Sequence, residues 1–416
     1  MKIAVLGAGL TGVTSAYFLA KKGYDVTVFD RQPLAAEETS FANGGQISVT
    51  QTFPWNSPDL PGKLMKWLGR DDAPLVFRLR NDPHMWRWGL RFLLNARKKT
   101  FYDSAGRVLR LALHSRDCLQ QVVRDENINY DRQTRGILKV FDTEAEWQEM
   151  ETRARWLNDQ GVAQEMLTRA ECIDAEPALV AATSSFMGGT KSDIDESGDA
   201  HAFTLALEAA AKRLGVKFVY NATIDSLIDH GGKIQSVTIN GLPQNFDKFV
   251  ISLGSFSYFL GKKLGLHIPV YPVKGYSVTI PVEGTNSAPL MSLTDESRHV
   301  VISRLGDRLR AAGTAEMNGY ATTPNKRRED MVLDSVLGLF PNAGNRDKAE
   351  RWAGLRPMSA DSTPIIGKTR YDNLYVNTGQ GQLGWTLSCG SAELLSQIVA
   401  GEQTNLDIND YSLDRF

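Results

Sequence analysis

The chain has 416 residues, which is enough for two or three domains with large buried cores. Its composition is ordinary for a globular protein, with 42% hydrophobic and 23% charged residues and a formal net charge of −1, so neither disorder nor a general affinity for nucleic acid is indicated. No apolar run approaches the roughly eighteen residues that a membrane-spanning helix needs.

The first thirty residues have the pattern of a dinucleotide-binding unit. Strands are predicted over residues 2–6 and 25–29, with a helix over 10–22 between them. The turn before the helix has the spacing G-x-G-x-x-G, with glycines at Gly7, Gly9 and Gly12. In such a unit the first glycine permits the tight turn, the second lets the backbone approach a pyrophosphate, and the third lets the helix pack against the strand. The free N–H groups and positive dipole end of the helix then face the phosphates.

The acidic residue at the end of the second strand completes this pattern. Asp30 can accept hydrogen bonds from a ribose diol, and Arg31 beside it is a further candidate cofactor contact. A solvated acid at a strand end is the alternative. Residues 3–19 faintly resemble the apolar region of a secretory signal, but their glycines and threonines fit a phosphate-binding turn better.

Two segments follow that suggest ligand or membrane contact. Residues 39–48 combine small residues, a glycine pair and amides, which suits a backbone lying against a flat ligand, although a surface loop is equally compatible.

Residues 53–100 contain half of the chain's eight tryptophans, namely Trp55, Trp67, Trp86 and Trp88. Ten basic side chains and only three acidic ones lie between residues 61 and 100. This mixture suits an interfacial segment on an anionic membrane. The alternative is a cover over a cavity, with its aromatic side chains packed inward and its charges solvated.

The middle of the chain alternates between helices and strands. Helices are predicted over residues 103–125, 143–160, 198–214 and 327–339. Strands are predicted over residues 135–141, 216–220, 225–229, 234–239 and 249–253. The last of these ends at Gly254, and a strand that ends on small residues allows a second close approach to a dinucleotide. Residues 268–282 alternate as a long antiparallel strand does, and 300–303 pairs with 308–313 in a hairpin.

The end of the chain repeats the arrangement of its beginning. A strand over residues 374–377 leads into a glycine-rich turn and a helix over 386–400. This turn can place backbone N–H groups and a positive helix end at an anionic flavin ring, which favours FAD over NAD.

Cysteine and histidine usage indicates neither disulfides nor a metal site. The three cysteines, Cys118, Cys172 and Cys389, are far apart and odd in number, which favours a reducing compartment. The six histidines show no metal-ligand spacing with one another or with the cysteines, so no metal is expected.

Several motifs together carry a resemblance to a known family. They are GAGLTG, the acid Asp30, TSFANGGQIS, YPVKGYSVTIP, WAGLRPMSADSTPIIG and NTGQGQLGWTLSCGS. With these motifs in this order, the chain resembles the D-amino-acid dehydrogenase small subunits, a bacterial branch of the FAD-dependent D-amino-acid oxidase and glycine oxidase superfamily. The resemblance runs from residue 1 to the final helix.

The resemblance implies an α/β fold, with a Rossmann-type FAD-binding domain and an interleaved antiparallel-sheet substrate domain. The FAD-binding domain would comprise residues 1–85, 197–265 and 350–416, and the substrate domain residues 86–196 and 266–349. The implied activity is oxidative deamination of D-amino acids to 2-oxo acids and ammonia, by hydride transfer to N5 of non-covalent FAD. Electrons would pass to a quinone or another respiratory acceptor, with the protein cytoplasmic and peripheral at the inner face of the cytoplasmic membrane. This favours membrane contact through residues 53–100.

The resemblance also implies roles for individual residues. Gly7, Gly9, Gly12 and Asp30 match the ADP site, Ser40, Asn43 and Gln46 match the stretch beside the flavin, and Gly381, Leu383 and Gly384 match the closing loop. Arg356 matches the arginine that holds the substrate carboxylate in glycine-oxidase-like members, with a structural ion pair as the alternative. Lys274 and Tyr276 lie on the strand that crosses near the flavin, although such strand residues often pack or face solvent. Gln380 stands where relatives usually have histidine, and it cannot titrate near neutral pH.

The proposed chemistry needs little from the protein beyond positioning. A guanidinium binds a carboxylate through two parallel hydrogen bonds, which leaves the Cα–H bond free to face the flavin. No strong protein base is required. Three alternatives remain: a dehydrogenase for cyclic secondary amines such as proline or hydroxyproline, an oxygen-using amino-acid oxidase, and a flavoprotein without catalysis.

Overall fold

The computed structural model describes residues 1–67, 69–71, 73–78, 80–282 and 288–416. The α-helices in these residues are α1 Leu10–Lys21, α2 Leu60–Trp67, α3 Pro83–Leu94, α4 Lys98–Glu126, α5 Glu144–Asp159, α6 Arg169–Ala175, α7 Ala200–Arg213, α8 Ser257–Lys263, α9 Lys326–Leu339 and α10 Ser388–Ala400. The β-strands are β1 Lys2–Leu6, β2 Asp25–Phe29, β3 Gln46–Ile47, β4 Leu75–Phe77, β5 Ile137–Phe141, β6 Glu165–Thr168, β7 Gly188–Ser192, β8 Glu196–Ser197, β9 Lys217–Val219, β10 Ile224–His230, β11 Lys233–Ile239, β12 Leu242–Asn245, β13 Lys248–Ile251, β14 Val270–Pro281, β15 Ser292–Asp295, β16 Val300–Leu305, β17 Arg308–Met317, β18 Glu350–Ser359, β19 Ile365–Lys368 and β20 Leu374–Thr378.

A six-stranded sheet, in the order β19-β20-β13-β1-β2-β9, carries the beginning and the end of the chain. Strand β1 pairs in parallel with β13 and β2. It is buried on both faces, as the strands of a parallel sheet usually are. Val5 packs in the core that includes helices α1, α4, α7 and α10, whereas the adjacent Leu6 packs towards β10 and β11. The sheet is therefore the centre of a layered α/β arrangement.

A nine-stranded sheet is the second large sheet of the molecule. Its order is β18-β14-β17-β16-β15-β5-β7-β6, and β4 adds to β17. The long strand β14 lies between β18 and β17 and is antiparallel to both. Two pairings, β15 with β5 and β17 with β4, are parallel, so the sheet is not wholly antiparallel. Helix α9 covers one face, where Val332 and Val336 pack in one core with Val278 of β14. The predicted combination of a Rossmann-type sheet with an interleaved, mainly antiparallel sheet is confirmed.

Two parts of the chain pack with the other sheet than the one expected from the predicted limits of the FAD-binding and substrate domains. Strands β4 and β18 pair within the nine-stranded sheet, although residues 1–85 and 350–416 were expected on the cofactor side. Helix α4 belongs to the core beneath the six-stranded sheet, although residues 86–196 were expected on the substrate side. The reason is that α4 packs against α10 through small residues, with Gly390 lying against Ser115. The domain limits themselves remain a prediction, and their residues 68, 72, 79 and 283–287 lie outside the described ones.

Two helices of the basic, tryptophan-rich segment were not predicted. Helix α3 buries Met85, Trp88 and Phe92 but also exposes large apolar residues beside Arg87, so its outer face is not the wholly polar face expected of a surface helix. Its start was nevertheless marked by Asp82, whose side chain caps the helix, and by Pro83 at the first helical position. Within the described ranges, no helix combines the length and apolarity needed to cross a membrane.

Candidate cofactor and substrate site

A cavity of about 1030 Å³ is lined by residues from both sheets. This volume is at the upper end of the roughly 300–1,000 Å³ found for small-molecule and cofactor sites. Its wall includes the glycine turn after β1, the end of β2, residues 36–60, the end of β13, strands β14, β17 and β18, and the closing loop 380–385. The cavity therefore joins most of the segments that the sequence singled out.

Each of the three glycines of the first turn has a different structural role. Gly7 has a φ of 110°, and a Cβ atom there would lie 2.4 Å from the backbone oxygen of Ser252. Gly12 does not line the cavity; its Cβ would lie 1.9 Å from the oxygen of Gly7, so it permits the helix to pack against the turn. Gly9 is the N-cap residue of α1 and has no side chain to cap the helix, and the first turn of α1 contains no acidic residue. The positive end of α1 thus meets the cavity without a protein anion of its own.

Asp30 lies at the cavity wall beside the glycine turn. Its Oδ2 accepts a hydrogen bond from the Ala8 amide at 2.6 Å, and its Oδ1 accepts one from the Gln32 amide at 2.8 Å. Burial raises the pKa of Asp30, and these two hydrogen bonds oppose that rise. Asp30 is thus a positioned group rather than a solvated strand-end acid, and each carboxylate oxygen retains capacity for a further hydrogen bond. Arg31 also lines the cavity, pairs with Glu38 and lies over the ring of Phe256 at 3.9 Å.

The segment 39–48 connects the first helix to the larger sheet along the cavity wall. Ser40 accepts a hydrogen bond from the amide of Leu10 at 3.0 Å. Asn43 accepts one from the amide of Gly45, and Gln46 donates to the hydroxyl of Ser292. All three predicted residues line the cavity, but their side chains also hold the segment in place. The segment is therefore part of the cavity wall rather than a free surface loop.

Arg356 on β18 is a partly buried cation at the cavity wall. Its Nη1 donates to the backbone oxygen of Thr314 at 3.0 Å, and its guanidinium carbon lies 5.9 Å from the ring centre of Trp55. Burial, together with the nearby charge of Arg328, lowers its pKa to about 10, and no carboxylate of the described residues offsets this. This argues against the structural ion pair. A cation kept without a counter-ion beside a cavity can bind an anionic ligand.

The neighbouring strand leaves room for this guanidinium. In the pairing of β14 with β18, Val273 stands opposite Arg356 and Gly275 opposite Gly354. Gly275 therefore lies on the same face as the Arg356 side chain, and any side chain at position 275 would overlap the guanidinium. An isolated glycine inside a strand often marks such a close approach, so Gly275 was a sequence signal for this contact.

The other two candidate residues of β14 point to the opposite face. The Nζ of Lys274 lies 3.0 Å from Oε2 of Glu316 and donates to the backbone oxygen of Thr323. The hydroxyl of Tyr276 donates to the same carboxylate. Tyr276 contributes to the cavity wall, whereas Lys274 does not, so the structure does not bring Lys274 to the site. Strand alternation put both side chains on the Glu316 side.

The closing loop reaches the cavity through a short turn and not through its helix. Gln380, Gly381, Leu383 and Gly384 all line the cavity, as does Gly254 at the end of β13. A 3₁₀ turn occupies Gly381–Leu383, whereas α10 begins only at Ser388, two residues later than predicted. The side-chain Nε2 of Gln380 donates to Oδ1 of Asn377 at 2.7 Å. The turn before α10, and not the N-terminus of α10 as expected, therefore reaches the cavity.

The basic, tryptophan-rich segment 53–100 was expected either to contact a membrane or to cover a cavity, and different parts of it fit each expectation. Trp55 and Trp67 line the cavity, and the indole N–H of Trp55 donates to Gln382 of the closing loop. Trp88 is buried and donates to the backbone of Met358 at 2.9 Å. Trp86, in contrast, is 55% exposed. Residues 53–67 therefore form a cover of the cavity, and α3 has an apolar outer face.

Comparison with known proteins extends these similarities over the whole chain. The family described as FAD-dependent oxidoreductase matches residues 2–398. A D-amino acid dehydrogenase from Paramagnetospirillum magneticum is 46% identical over 417 aligned residues, covering 100% of this chain and 99% of that protein. Another, from Allorhizobium ampelinum, is 44% identical over 416 residues, with 100% and 99% covered. The crystal structure of glycine oxidase from Geobacillus kaustophilus superposes with a TM-score of 0.80 at 20% identity, covering 100% of this chain and 98% of that one.

Proposed function

The chain belongs to the family of FAD-dependent oxidoreductases, and on that premise we propose that it oxidises D-amino acids to 2-oxo acids and ammonia. Relatives named D-amino acid dehydrogenase match its full length at 42–46% identity. The observation that carries the proposal is the guanidinium of Arg356, which stands at the cavity wall with no counter-ion among the residues that the structure describes.

The residues of the cavity fit FAD, the cofactor of the family. The N-terminus of α1 and the turn at Gly7 and Gly9 would hold the pyrophosphate, and Asp30 would accept hydrogen bonds from the ribose. The segment with Ser40, Asn43 and Gln46, together with Gly254 and the loop with Gly381, Leu383 and Gly384, would enclose the rest of the cofactor. When bound, FAD supplies the ring that accepts a hydride from the substrate carbon.

Arg356 would bind the substrate carboxylate and so orient the amino acid. One of its five N–H groups donates to Thr314, which leaves others for two parallel bonds to a carboxylate. The ring of Trp55 lies beside the guanidinium and helps to keep water from it. Gln380 would give a polar contact at the closing loop without titrating. Lys274 has no place in this scheme, because Glu316 holds its ammonium group away from the cavity.

The test is the anaerobic visible spectrum of the purified protein before and after separate additions of D-alanine, L-alanine and D-proline. We expect a yellow protein that D-alanine bleaches and L-alanine does not. Bleaching by proline alone would assign the chain to the dehydrogenases of cyclic secondary amines. A protein whose FAD no amino acid reduces would be a flavoprotein without this activity. Rapid reoxidation by oxygen, with no gain from a quinone, would indicate an oxidase.

We further propose that the electron acceptor is a membrane quinone, and that the protein contacts the cytoplasmic membrane peripherally through α3. The outer face of this helix exposes Trp86, Leu90, Leu93 and Leu94. Arg87 on α3, and Arg97 and Lys98 shortly after its end, are also exposed. Large exposed apolar side chains flanked by cations are typical of a helix that lies in the headgroup layer of an anionic membrane. Trp55, Trp67 and Trp88 do not belong to this surface, since they pack inward.

A further inference from the structure

Three potential metal ligands meet between α4 and α10, outside the cavity. They are His114, Cys118 and Glu393, which we call the α4–α10 cluster. The Nε2 atom of His114 lies 3.0 Å from Oε2 of Glu393 and 3.6 Å from Sγ of Cys118. All three ligand atoms lie within 4.8 Å of one another. None of these residues lines the cavity, so the cluster is separate from the site described above.

The packing of the two helices fixes this arrangement. His114 and Cys118 are four positions apart on α4 and so project from one face of that helix. Glu393 faces them from α10. One turn before it, Gly390 lies against Ser115, where an added Cβ would be 2.7 Å from the Ser115 Cα. The Gly390 amide also donates to the Ser115 hydroxyl at 2.9 Å. The two backbones are thus in contact next to the cluster, which holds its side chains in place.

The cluster is only partly accessible. The side chains of His114 and Glu393 are 18% and 19% exposed, so a bound ion would be partly shielded but could still enter from solvent. The second oxygen of Glu393, Oε1, accepts a hydrogen bond from Gln397 at 2.6 Å. This contact leaves Oε2 directed at His114. Outer hydrogen bonds that orient a ligating carboxylate in this way are usual around metal sites.

A single imidazole nitrogen faces both other ligands. One N–H group on Nε2 can point well at only one acceptor, yet Glu393 and Cys118 both approach that atom. A metal ion bound to the Nε2 lone pair has no such restriction, because the oxygen and the sulfur can share it. Zn²⁺ binds nitrogen and oxygen at about 2.0–2.1 Å and sulfur at about 2.3 Å, which in a tetrahedron separates ligand atoms by about 3.3–3.6 Å. The two contacts of His114, at 3.0 and 3.6 Å, require only small side-chain adjustments, and the ligand atoms of Cys118 and Glu393, which lie within 4.8 Å of each other, would move closer together.

We infer that the α4–α10 cluster binds one divalent transition-metal ion such as Zn²⁺, through His114 Nε2, Cys118 Sγ and Glu393 Oε2. A thiolate and a carboxylate carry two negative charges, which one divalent cation balances. Three protein ligands leave the fourth tetrahedral position for water. The ion would join α4 to α10 and stabilise their packing. This differs from the sequence-based expectation of no metal, which did not weigh the four-residue spacing of His114 and Cys118.

The competing occupant is a proton. Contacts with Cys118 and then Glu393 raise the pKa of His114 to about 10, so without a metal the imidazole is a cation paired with these groups. Both occupants give similar geometry. They differ in whether the protein binds a metal ion with defined stoichiometry.

The experiment is titration of the FAD-loaded, EDTA-treated full-length protein with ZnCl₂ in a calorimeter, together with its melting temperature with and without Zn²⁺. We expect one saturable site per chain and a rise in melting temperature on adding Zn²⁺. In Cys118→Ala and in Glu393→Gln the Zn²⁺ dissociation constant should rise at least about 100-fold, and in Gln397→Ala about tenfold. Cys172→Ala is the matched control, because Cys172 is buried in the core beside the nine-stranded sheet. This variant should bind Zn²⁺ as the wild type does.

Retention of FAD absorbance shows that each variant is folded. A wild-type protein that shows no saturable binding of Zn²⁺ overturns the inference in favour of the proton. Equal binding by the wild type, Cys118→Ala and Glu393→Gln also overturns it, since the ion would then lie elsewhere.

Discussion

The guanidinium of Arg356 lies directly beside the backbone of Gly275, such that a Cβ atom built at position 275 would be 2.3 Å from Nη1 of Arg356. Atoms cannot approach so closely, and the rest of the guanidinium is equally near. The place of the positive charge is therefore set by the absence of a side chain on the adjacent strand.

Gly275→Ala should displace the guanidinium and weaken substrate binding while leaving its charge intact. We expect KM for D-alanine to rise at least about tenfold, which corresponds to about 1.4 kcal/mol. Steady-state kinetics with an artificial acceptor measures this. The control is Gly106→Ala on α4, where an added Cβ would meet only the end of the Arg110 side chain, at 3.4 Å. Equal KM values for the two variants would show that the contact does not matter for binding.

Arg356→Lys should keep the charge but lose the two parallel hydrogen bonds to a carboxylate. We expect KM to rise at least about tenfold for every carboxylate substrate, with FAD retained. Arg351→Lys is a suitable control, because Arg351 lies on the same strand and pairs with Asp330 rather than lining the cavity. An unchanged KM in Arg356→Lys would remove this residue from the carboxylate site.

Glu316 should make stability depend on pH. Burial opposes its charge, but hydrogen bonds from Tyr276, Lys274 and Arg78 outweigh that effect and hold its pKa below the ordinary value of 4.5. Because the folded-state pKa is lower than the unfolded one, the stabilisation is present above about pH 4.5 and is lost as the pH falls through the folded-state pKa. Glu316→Gln should cost about 3 kcal/mol at neutral pH, since Lys274 is left buried without its counter-charge.

The midpoint of urea unfolding at several pH values measures this effect. Glu402→Gln is the matched control, because Glu402 pairs with Lys22 at the surface, where an ion pair contributes less than about 1 kcal/mol. If both variants lose equally little stability, the buried pair is not important for folding. A large loss of activity with unchanged stability would instead restore a direct role for Lys274.

Neutralising Arg87, Arg97 and Lys98 should weaken binding to vesicles that contain anionic lipid. Each cation near such a surface contributes about 1 kcal/mol, so the triple variant should lose about 100-fold or more in affinity and depend less on salt. Vesicle co-sedimentation at low and high salt measures both. The control neutralises Lys212, Arg213 and Lys217, three exposed cations far along the chain from α3. A wild-type protein that stays in solution with anionic vesicles at low salt would refute the membrane proposal.

Local patterns account for the parts of this molecule that the sequence predicted well. The unit of β1, α1 and β2 is found within one residue of its predicted limits, because glycine spacing and strand burial are properties of neighbouring residues. Strand β14 was likewise predicted from its alternation, although it is two residues shorter at its start and one at its end. The same alternation shows that Lys274 and Tyr276 share a face. It does not show which face borders the cavity, since that depends on Glu316 on another strand.

Contacts between distant segments could not be read from the chain. The place of α4 in the core of the six-stranded sheet depends on Gly390 meeting Ser115, which are 275 positions apart. Glu393 and Cys118 meet for the same reason. Helix α3, in contrast, was missed although two local signals, the capping residue Asp82 and Pro83 at the first helical position, mark its start.

The isolated bridge between Met358 and Gln380 has a consequence for how ligands enter. It joins the strand that carries Arg356 to the closing loop, so the two sides of the cavity are hydrogen-bonded to each other near the reacting groups. Rotation of one sheet away from the other would break this bridge and shift the carboxylate site relative to the cofactor. We therefore expect substrate and product to exchange by displacement of residues 53–67, with the hydrogen bond from Trp55 to Gln382 as the contact that opens. Ligand exchange would then need only a loop movement, which leaves Arg356 in place relative to the closing loop.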